Sequence, residues 1–314
     1  MKNEKKRIVV LTGAGISAES GLHTFRDKGG LWDEFPVKEV ATPDAWEKDK
    51  AKVLHFYNLR RQQVREAEPN KAHYALTELE SDFIVNIVTQ NVDDLHERAG
   101  SKNILHLHGD IKKSRSTVNQ HLLYELDQKD IHIGDKCEEG SQLRPHIVWF
   151  GEAVPEINNA KKLIEQADCL IIIGTSLEVY PAADLLYYLR GGKPIFLISP
   201  EMNHIPDGVT FYQGVATDQV PIIVKKLLNM HDLEATATFK NNFKDNNMSE
   251  ENKGPYTKVD GKMSDRGIWA AEMDPEAEDK FDKYLHLVAV NKAAKAEIAR
   301  RELDAIYEEL LEDF

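Results

Sequence analysis

Five short apolar runs constrain this chain more than any other feature: RIVVLT at Arg7–Thr12, FIVNIVT at Phe83–Thr89, HIVWF at His146–Phe150, CLIIIG at Cys169–Gly174 and PIFLIS at Pro194–Ser199. Their hydrophobicity is nearly continuous, which suits buried strands of a parallel sheet covered on both faces. Helix-compatible stretches lie between them, among them Pro155–Ala167 and Pro181–Leu189. The expected fold is therefore α/β, a doubly wound, Rossmann-like parallel sheet. Two insertions interrupt the alternation. Residues 36–78 read as mostly helical. Residues 110–143 are polar and irregular and read as a small inserted lobe, in which Leu122, Leu123 and Leu126 have the spacing of one helical face.

These elements fill a main domain over residues 1–234. Residues 235–275 are poor in large apolar side chains and read as a linker. Residues 276–314 read as a C-terminal helical extension, where Ala299, Leu303, Ile306 and Leu310 repeat as a helix–helix seam does. Such a seam is expected to pack on the main domain, on a second copy or on a partner; the alternative is a solvated helix.

With 314 residues, 41% of them hydrophobic, the chain can bury a sizeable core. Its 53 acidic residues outnumber 40 Lys and Arg, a formal net charge of −13 that argues against nucleic-acid or anionic-membrane binding through bulk charge. Two cysteines, Cys137 and Cys169, make no disulfide framework and suit a reducing compartment. The apolar run IVVL is too short for a signal-peptide core, and no run reaches the length of a membrane span. The expectation is a soluble cytoplasmic protein.

The first strand breaks into Gly13-Ala14-Gly15. Glycines there let backbone N–H groups approach a phosphate, aided by a following helix terminus; the alternative is a turn required only for tight packing. Ala18 stands where a third glycine would sit, no Gly-Lys-Ser/Thr follows, and no acid lies in fitting context about twenty residues on, which counts against a hydride-transfer enzyme. After the second strand, TQNVDDLHERAG clusters Gln90, Asn91 and Asp93, although Asn91 as a plain helix cap would explain one of them. LHLHGD carries His106 and His108, read as facing opposite ways, with His108 beside Gly109 as the candidate base. VWFGE could accept an extended peptide by strand pairing, or could be a buried strand and no more. GTSLEVYPAA places Gly174, Thr175 and Ser176 at a strand end, suited to ribose or phosphate.

Taken in this order, GAGISAES, TQNVDDLH, HG, VWFGE and GTSLEVYPAA resemble the sirtuins, the NAD-dependent protein-lysine deacylases, from about Arg7 to Leu228. The resemblance implies NAD as cofactor, cleavage at the nicotinamide ribose bond, acylated lysine-bearing proteins as substrates, and release of nicotinamide and O-acyl-ADP-ribose. It implies that Gly13, Ala14, Gly15 and Ala18 line the phosphates, that Phe25 shields the cleaved ribose and that Arg26 holds the cofactor loop. Gln90, Asn91 and Asp93 would fix ribose and nicotinamide, and His108 would act as general base for a ribose hydroxyl. Gly174, Thr175, Ser176, Ser199 and Ala216 would meet the adenosine half. Val148, Phe150 and Gly151 would bind the peptide backbone and wall the lysine tunnel.

Three departures stand out. Ser199 occupies a position that is Asn in many sirtuins, and Thr24 replaces the Asp of the common DFR triplet. Sirtuins usually hold a structural zinc on two C-x-x-C pairs between the catalytic His and the RP strand, and this interval contains Cys137 alone, with His121 and His132 at no recognised spacing. Zinc is therefore not expected, and Cys137 reads as a relic or a surface thiol. Tyr57 and Arg60, three apart on an expected helix, resemble the Tyr-x-x-Arg pair of the desuccinylase branch; the alternative makes Arg60 and Arg61 surface charges pairing with Glu66 or Glu68. Two other functions compete with deacylation: a non-catalytic NAD or ADP-ribose binding module, and an NAD glycohydrolase or ADP-ribosyltransferase.

Overall fold

The computed structural model describes residues 5–22, 24 and 35–229. The chain divides at residue 248 into two units, and the described residues all fall in the first. Phe25, Arg26, the linker and the seam from Ala299 to Leu310 lie outside the described residues.

Among the described residues nine strands form two sheets: β1 (Arg7–Thr12), β2 (Ile84–Thr89), β3 (Ile104–His106), β4 (Gly109–Ser116), β5 (Leu123–Glu125), β6 (Leu143–Ile147), β7 (Cys169–Ile173), β8 (Ile195–Ser199) and β9 (Val209–Gln213). The larger sheet is wholly parallel with the order β3-β2-β1-β7-β8-β9. Alternation along β1 explains why its run has no polar face. Ile8 and Val10 enter one core with Val85, Ile87, Ile171, Ile173 and Ile198, while Val9 and Leu11 enter a second with Val88, Leu170, Ile172 and Leu197. Among the described residues four α-helices precede β2, α1 (Val37–Val40), α2 (Pro43–Lys48), α3 (Lys50–Glu66) and α4 (Lys71–Glu78); α5 (Leu95–Ala99) follows it, and α6 (Ile157–Gln166) and α7 (Ala216–Asn229) come later. Helix α4 packs on α7 over the first core, and α6 covers the second.

The third apolar run, HIVWF, does not join this sheet. Its first residues belong to β6, which pairs antiparallel with β4 in a three-stranded sheet ordered β5-β4-β6. Continuous apolarity says that a strand is buried, not which sheet it enters. Ile147 and Trp149 point into a third core, shared with Trp46, Phe56, Tyr57, Ile111 and Ile131. The two insertions thus build one lobe around one core. Local signals fix its helices: Thr42 Oγ1 accepts from Ala45 N at 3.0 Å with Pro43 in the first turn of α2, and Asp49 caps α3 by accepting from Lys52 N at 2.9 Å.

The segment 110–143 is not irregular, because β4, β5 and most of their turns lie in it. Its period is hidden because Ser114 and Ser116 occupy buried positions of β4 beside Ile111. Leu122, Leu123 and Leu126 do not share a helical face. Leu123 lies in β5 and is exposed, while Leu126 is buried in the lobe core. Cys137 is not a surface thiol. It is buried, its Sγ lies 3.4 Å from Ser116 Oγ and 3.1 Å from Ser141 Oγ, and the two hydroxyls lie 2.8 Å apart. These hydrogen bonds tie the turn after β4 to the turn before β6. His121 and His132 are exposed and do not converge on the thiol. Among the described residues no group of three or more His, Cys, Asp or Glu side chains could hold a metal ion, so the residues present do not fit the zinc that the resemblance implies. Purified protein is expected to contain far less than one zinc per chain by elemental analysis and to keep its melting temperature in EDTA; stoichiometric zinc would overturn this. Among the described residues no helix is long and apolar enough to cross a membrane.

Candidate active site in the strand-end crevice

Strand order reverses between β1 and β7, and such a reversal opens a crevice at the carboxyl ends of the strands. The loops after these two strands meet there. Gly13 N donates to Ile173 O at 3.0 Å and Gly15 N to Gly174 O at 2.8 Å. A Cβ on Gly15 would stand 2.6 Å from Gly174 Cα, and Gly174 itself has φ +62°. Tight packing therefore demands part of this glycine pattern. No α-helix follows the loop among its described residues. Two three-residue 3-10 turns, Ala14–Ile16 and Ala18–Ser20, stand in its place. Any phosphate would meet turn N–H groups there and not a helix macrodipole. Ala18 is exposed on the second turn.

The loop after β2 brings its polar side chains to the same place. Asn91 Nδ2 donates to Ser17 Oγ at 3.2 Å, and Ser17 Oγ donates to Asp93 Oδ2 at 3.2 Å. All three are buried, and burial raises the Asp93 carboxyl, while Leu95 N–H, the Arg60 charge and Ser17 work against the rise. Gln90 Nε2 donates to Thr175 Oγ1 at 3.1 Å, which joins this loop to the one after β7. Ser17 is absent from the sequence-derived site; a serine inside GAGISAES carries no signal until Asn91 and Asp93 are seen on either side of it.

The two histidines of LHLHGD do not face opposite ways. Residues two apart in a strand share a face, and the rings reach adjacent carbonyls: His106 Nδ1 lies 2.9 Å from Asn91 O and His108 Nδ1 3.0 Å from Gln90 O. A carbonyl only accepts, so each Nδ1 carries a proton. Their remaining nitrogens differ. His106 Nε2 meets Glu97 Oε1 at 2.8 Å; burial opposes its charge, but Glu97 and the Asn91 carbonyl outweigh it and raise its pKa. Among the described residues no carboxylate pairs with His108, and burial lowers its pKa despite the Gln90 carbonyl. It stays neutral with an Nε2 lone pair available, which is the state a general base requires. Gly109 follows with φ +88°, and a Cβ there would stand 2.0 Å from His146 O. Only glycine lets β4 leave so close to β6 and turn His108 into the crevice.

Val148 N donates to His108 O at 2.9 Å and Phe150 N to Ala41 O at 3.0 Å, so VWFGE bridges the His108 segment and the helical insertion. Gly151, at φ +87°, begins the turn that returns Glu152 to accept from Trp149 N at 2.7 Å and from Arg144 Nη1 at 2.7 Å. Tyr57 and Arg60 share the inward face of α3 and are each about 5% exposed, so the surface-charge alternative fails for Arg60; Arg61 is also buried, donating to Ile111 O at 2.8 Å. Burial lowers the Arg60 guanidinium to about 10, with the Asp93 charge opposing, so it remains a cation at neutral pH. Burial likewise pushes the Tyr57 phenol up.

On the far side of the crevice, Thr175 is buried and Ser176 exposed after β7, and Ala216 opens α7. Ser199 Oγ donates to Glu201 O at 2.7 Å and is committed to its own loop. Thr217 N donates to Glu19 Oε2 at 2.9 Å, holding the start of α7 to the first loop. The crevice thus combines a glycine-lined turn, a buried carboxylate, two carboxamides and hydroxyl donors. That donor set fits a dinucleotide with amide, ribose and phosphate parts.

Residues 13–181 match the family model described as the Sir2 family. The chain is 56% identical over 201 residues to a Bacteroides thetaiotaomicron protein named NAD-dependent protein deacylase, covering 62% of this chain and 86% of that one. It is 52% identical over 227 residues to a Helicobacter pylori protein of the same name, covering 72% and 99%. A Sir2 homologue solved with NAD is 41% identical, with TM-score 0.65 over 72% of this chain and 90% of that chain. A Sir2 homologue complexed with ADP-ribose reaches TM-score 0.67 at 40% identity over 73% and 96%. The order of its motifs, the reversal of its sheet at a glycine-lined crevice and these matches agree: the chain belongs to the Sir2 family.

Proposed function

We propose that this chain is an NAD-dependent protein-lysine deacylase that releases nicotinamide and O-acyl-ADP-ribose. The observation that carries the reading is the split between the two histidines. His106 is drawn toward its charged form by Glu97, while His108, beside Asn91 and the buried Asp93, is kept neutral with Nε2 available. Relatives named NAD-dependent protein deacylase, and Sir2 homologues solved with NAD or ADP-ribose, support it.

When bound, NAD supplies the nicotinamide ribose bond whose cleavage lets the acyl group move to ADP-ribose. The residues divide the work around it. The phosphates would meet Ala14 N–H on the loop that Gly13 and Gly15 shape, the N–H groups of those two glycines being spent on Ile173 O and Gly174 O. Asp93, held by Ser17 and Leu95 N–H, accepts from the carboxamide, and Asn91 with Gln90 orients the ribose. His108 would take a ribose hydroxyl proton at Nε2 while Nδ1 keeps its own proton, donated to Gln90 O. Val148 to Gly151 offer backbone to an extended acylated peptide, and Phe150 walls the lysine tunnel. Tyr57 and Arg60 stand at the acyl end, so an acyl chain ending in a carboxylate is the preferred cargo.

Incubating the protein with NAD, with and without acetyl-, succinyl- and malonyl-lysine peptides, tests this reading. Peptide-dependent nicotinamide release supports it. Peptide-independent release indicates a glycohydrolase, and no release indicates a binding module. The pH dependence gives a further expected result. A base works when neutral, and the His108 pKa lies below the ordinary 6.5. The acid limb of kcat/KM should therefore fall below 6.5, with activity lost only as pH drops through that depressed value. A limb at or above 6.5 would remove His108 as its source.

A further inference from the structure

Two histidines that the proposed chemistry does not use lie fully buried beneath the crevice, His73 in α4 and His96 in α5, with ring centroids 5.0 Å apart. Their protons can be placed from their partners. Asn70 N–H can only donate, and it meets His73 Nδ1 at 3.2 Å. His73 Nδ1 is therefore a lone pair, and the neutral ring carries its proton on Nε2. Burial keeps both rings neutral, lowering His73 to about 4 and His96 well below its ordinary value.

The other end of the path is fixed by Thr89. Its Oγ1 accepts from Asn91 N at 3.0 Å and from Thr12 Oγ1 at 2.8 Å. The Thr12 proton is thus committed, so its oxygen accepts from His96 Nε2 at 3.1 Å. This leaves His96 Nδ1 as a lone pair. Among the described residues His73 Nε2 and His96 Nδ1 are both buried without a hydrogen-bond partner, each other included; a donor and an acceptor on adjacent rings, they meet by edge-to-face packing and not by a hydrogen bond. The reverse direction would place protons on both nitrogens and set two buried donors side by side, whereas this one sets an N–H against a lone pair. Asn70 also ties the path to the cofactor loop, because its Nδ2 donates to Ile16 O at 2.8 Å and to Ser20 Oγ at 3.0 Å.

We infer that His73 and His96 are positioning residues: neutral, Nε2-protonated rings packed edge to face, His73 accepting from the Asn70 cap and His96 starting a donor chain through Thr12 to Thr89. The chain sets the backbone of Asn91 against the first glycine loop. Its functional part rests on the reading of these two loops as the NAD site; its proton placement does not.

The test has two arms on the full chain. Proton–nitrogen correlation spectra of ¹⁵N-histidine-labelled protein at neutral pH should show both rings neutral and protonated at Nε2 alone. A proton on Nδ1 of His96, or a charged ring, overturns the chain. In the second arm, His96→Phe keeps ring volume without a donor, and His96→Gln keeps an amide donor within reach of Thr12. At saturating acyl-peptide, His96→Phe should raise KM for NAD about tenfold or more, and His96→Gln should recover it to within about threefold of wild type. A folded His96→Phe protein with unchanged KM for NAD refutes the positioning role. If His96→Phe does not fold, His96→Gln decides alone, and a KM raised as far as tenfold counts against the donor role. A wild type that releases no nicotinamide while showing the expected tautomers refutes the enzymatic reading and leaves the proton placement standing.

Discussion

His108→Ala is expected to lower kcat/KM for deacylation by about 10²–10⁴-fold, the range that a positioned general base contributes. The affinity for NAD should change little. Among the described residues the His108 ring makes one hydrogen bond, Nδ1 to Gln90 O at 3.0 Å. Gln90 keeps its hold on Thr175, and Asn91 and Asp93 keep theirs on Ser17, so the groups read as binding the cofactor survive the change. Equilibrium NAD binding by calorimetry and steady-state nicotinamide release on one preparation separate the two effects. Full turnover by the variant would remove the base assignment. His106→Ala is the control: it deletes a structural pair with Glu97 and should cost less activity than His108→Ala.

Succinyl- or malonyl-lysine is expected to outrun acetyl-lysine in kcat/KM, and Arg60→Met is expected to erase that preference while sparing acetyl removal. Arg60 sits about 5% exposed, and burial lowers its pKa to about 10. It stays charged at neutral pH, yet the burial that lowers it shows that charge is costly at this position. A carboxylate delivered by the acyl chain offsets that cost through a forked, charge-assisted contact, and the Tyr57 hydroxyl, kept protonated by burial, adds a donor. Losing such a pair costs about 1.5–3 kcal/mol, or about ten- to a hundredfold in kcat/KM. Initial rates across an acyl-peptide panel for wild type and variant check this. A wild type that strongly prefers acetyl-lysine, or a variant whose succinyl rate is untouched, would return Arg60 to a packing role.

The sequence alone determined most of the large sheet. Runs such as CLIIIG have no polar face, and a strand with no polar face must be covered twice; the split of Ile8 and Val10 from Val9 and Leu11 into separate cores is the structural form of that rule. The motifs that carry the family resemblance were equally legible, because Gly13, Asn91, His108 and Gly174 lie at strand ends where spacing along the chain becomes spacing around the crevice. Only the tertiary structure decided the rest. HIVWF went to the antiparallel sheet because apolarity reports burial and is silent about the neighbour. β4 escaped notice because serines fill its buried positions, and the partners of Ser116, Cys137 and Ser141, come from more than twenty residues away. Ser17, the direction of the two crevice histidines and the burial of Arg60 all depend on side chains that other segments supply. A pattern of hydrophobicity is local and survives in one dimension; a hydrogen-bond partner or a desolvating wall is set by the fold, and exists only once distant segments have met.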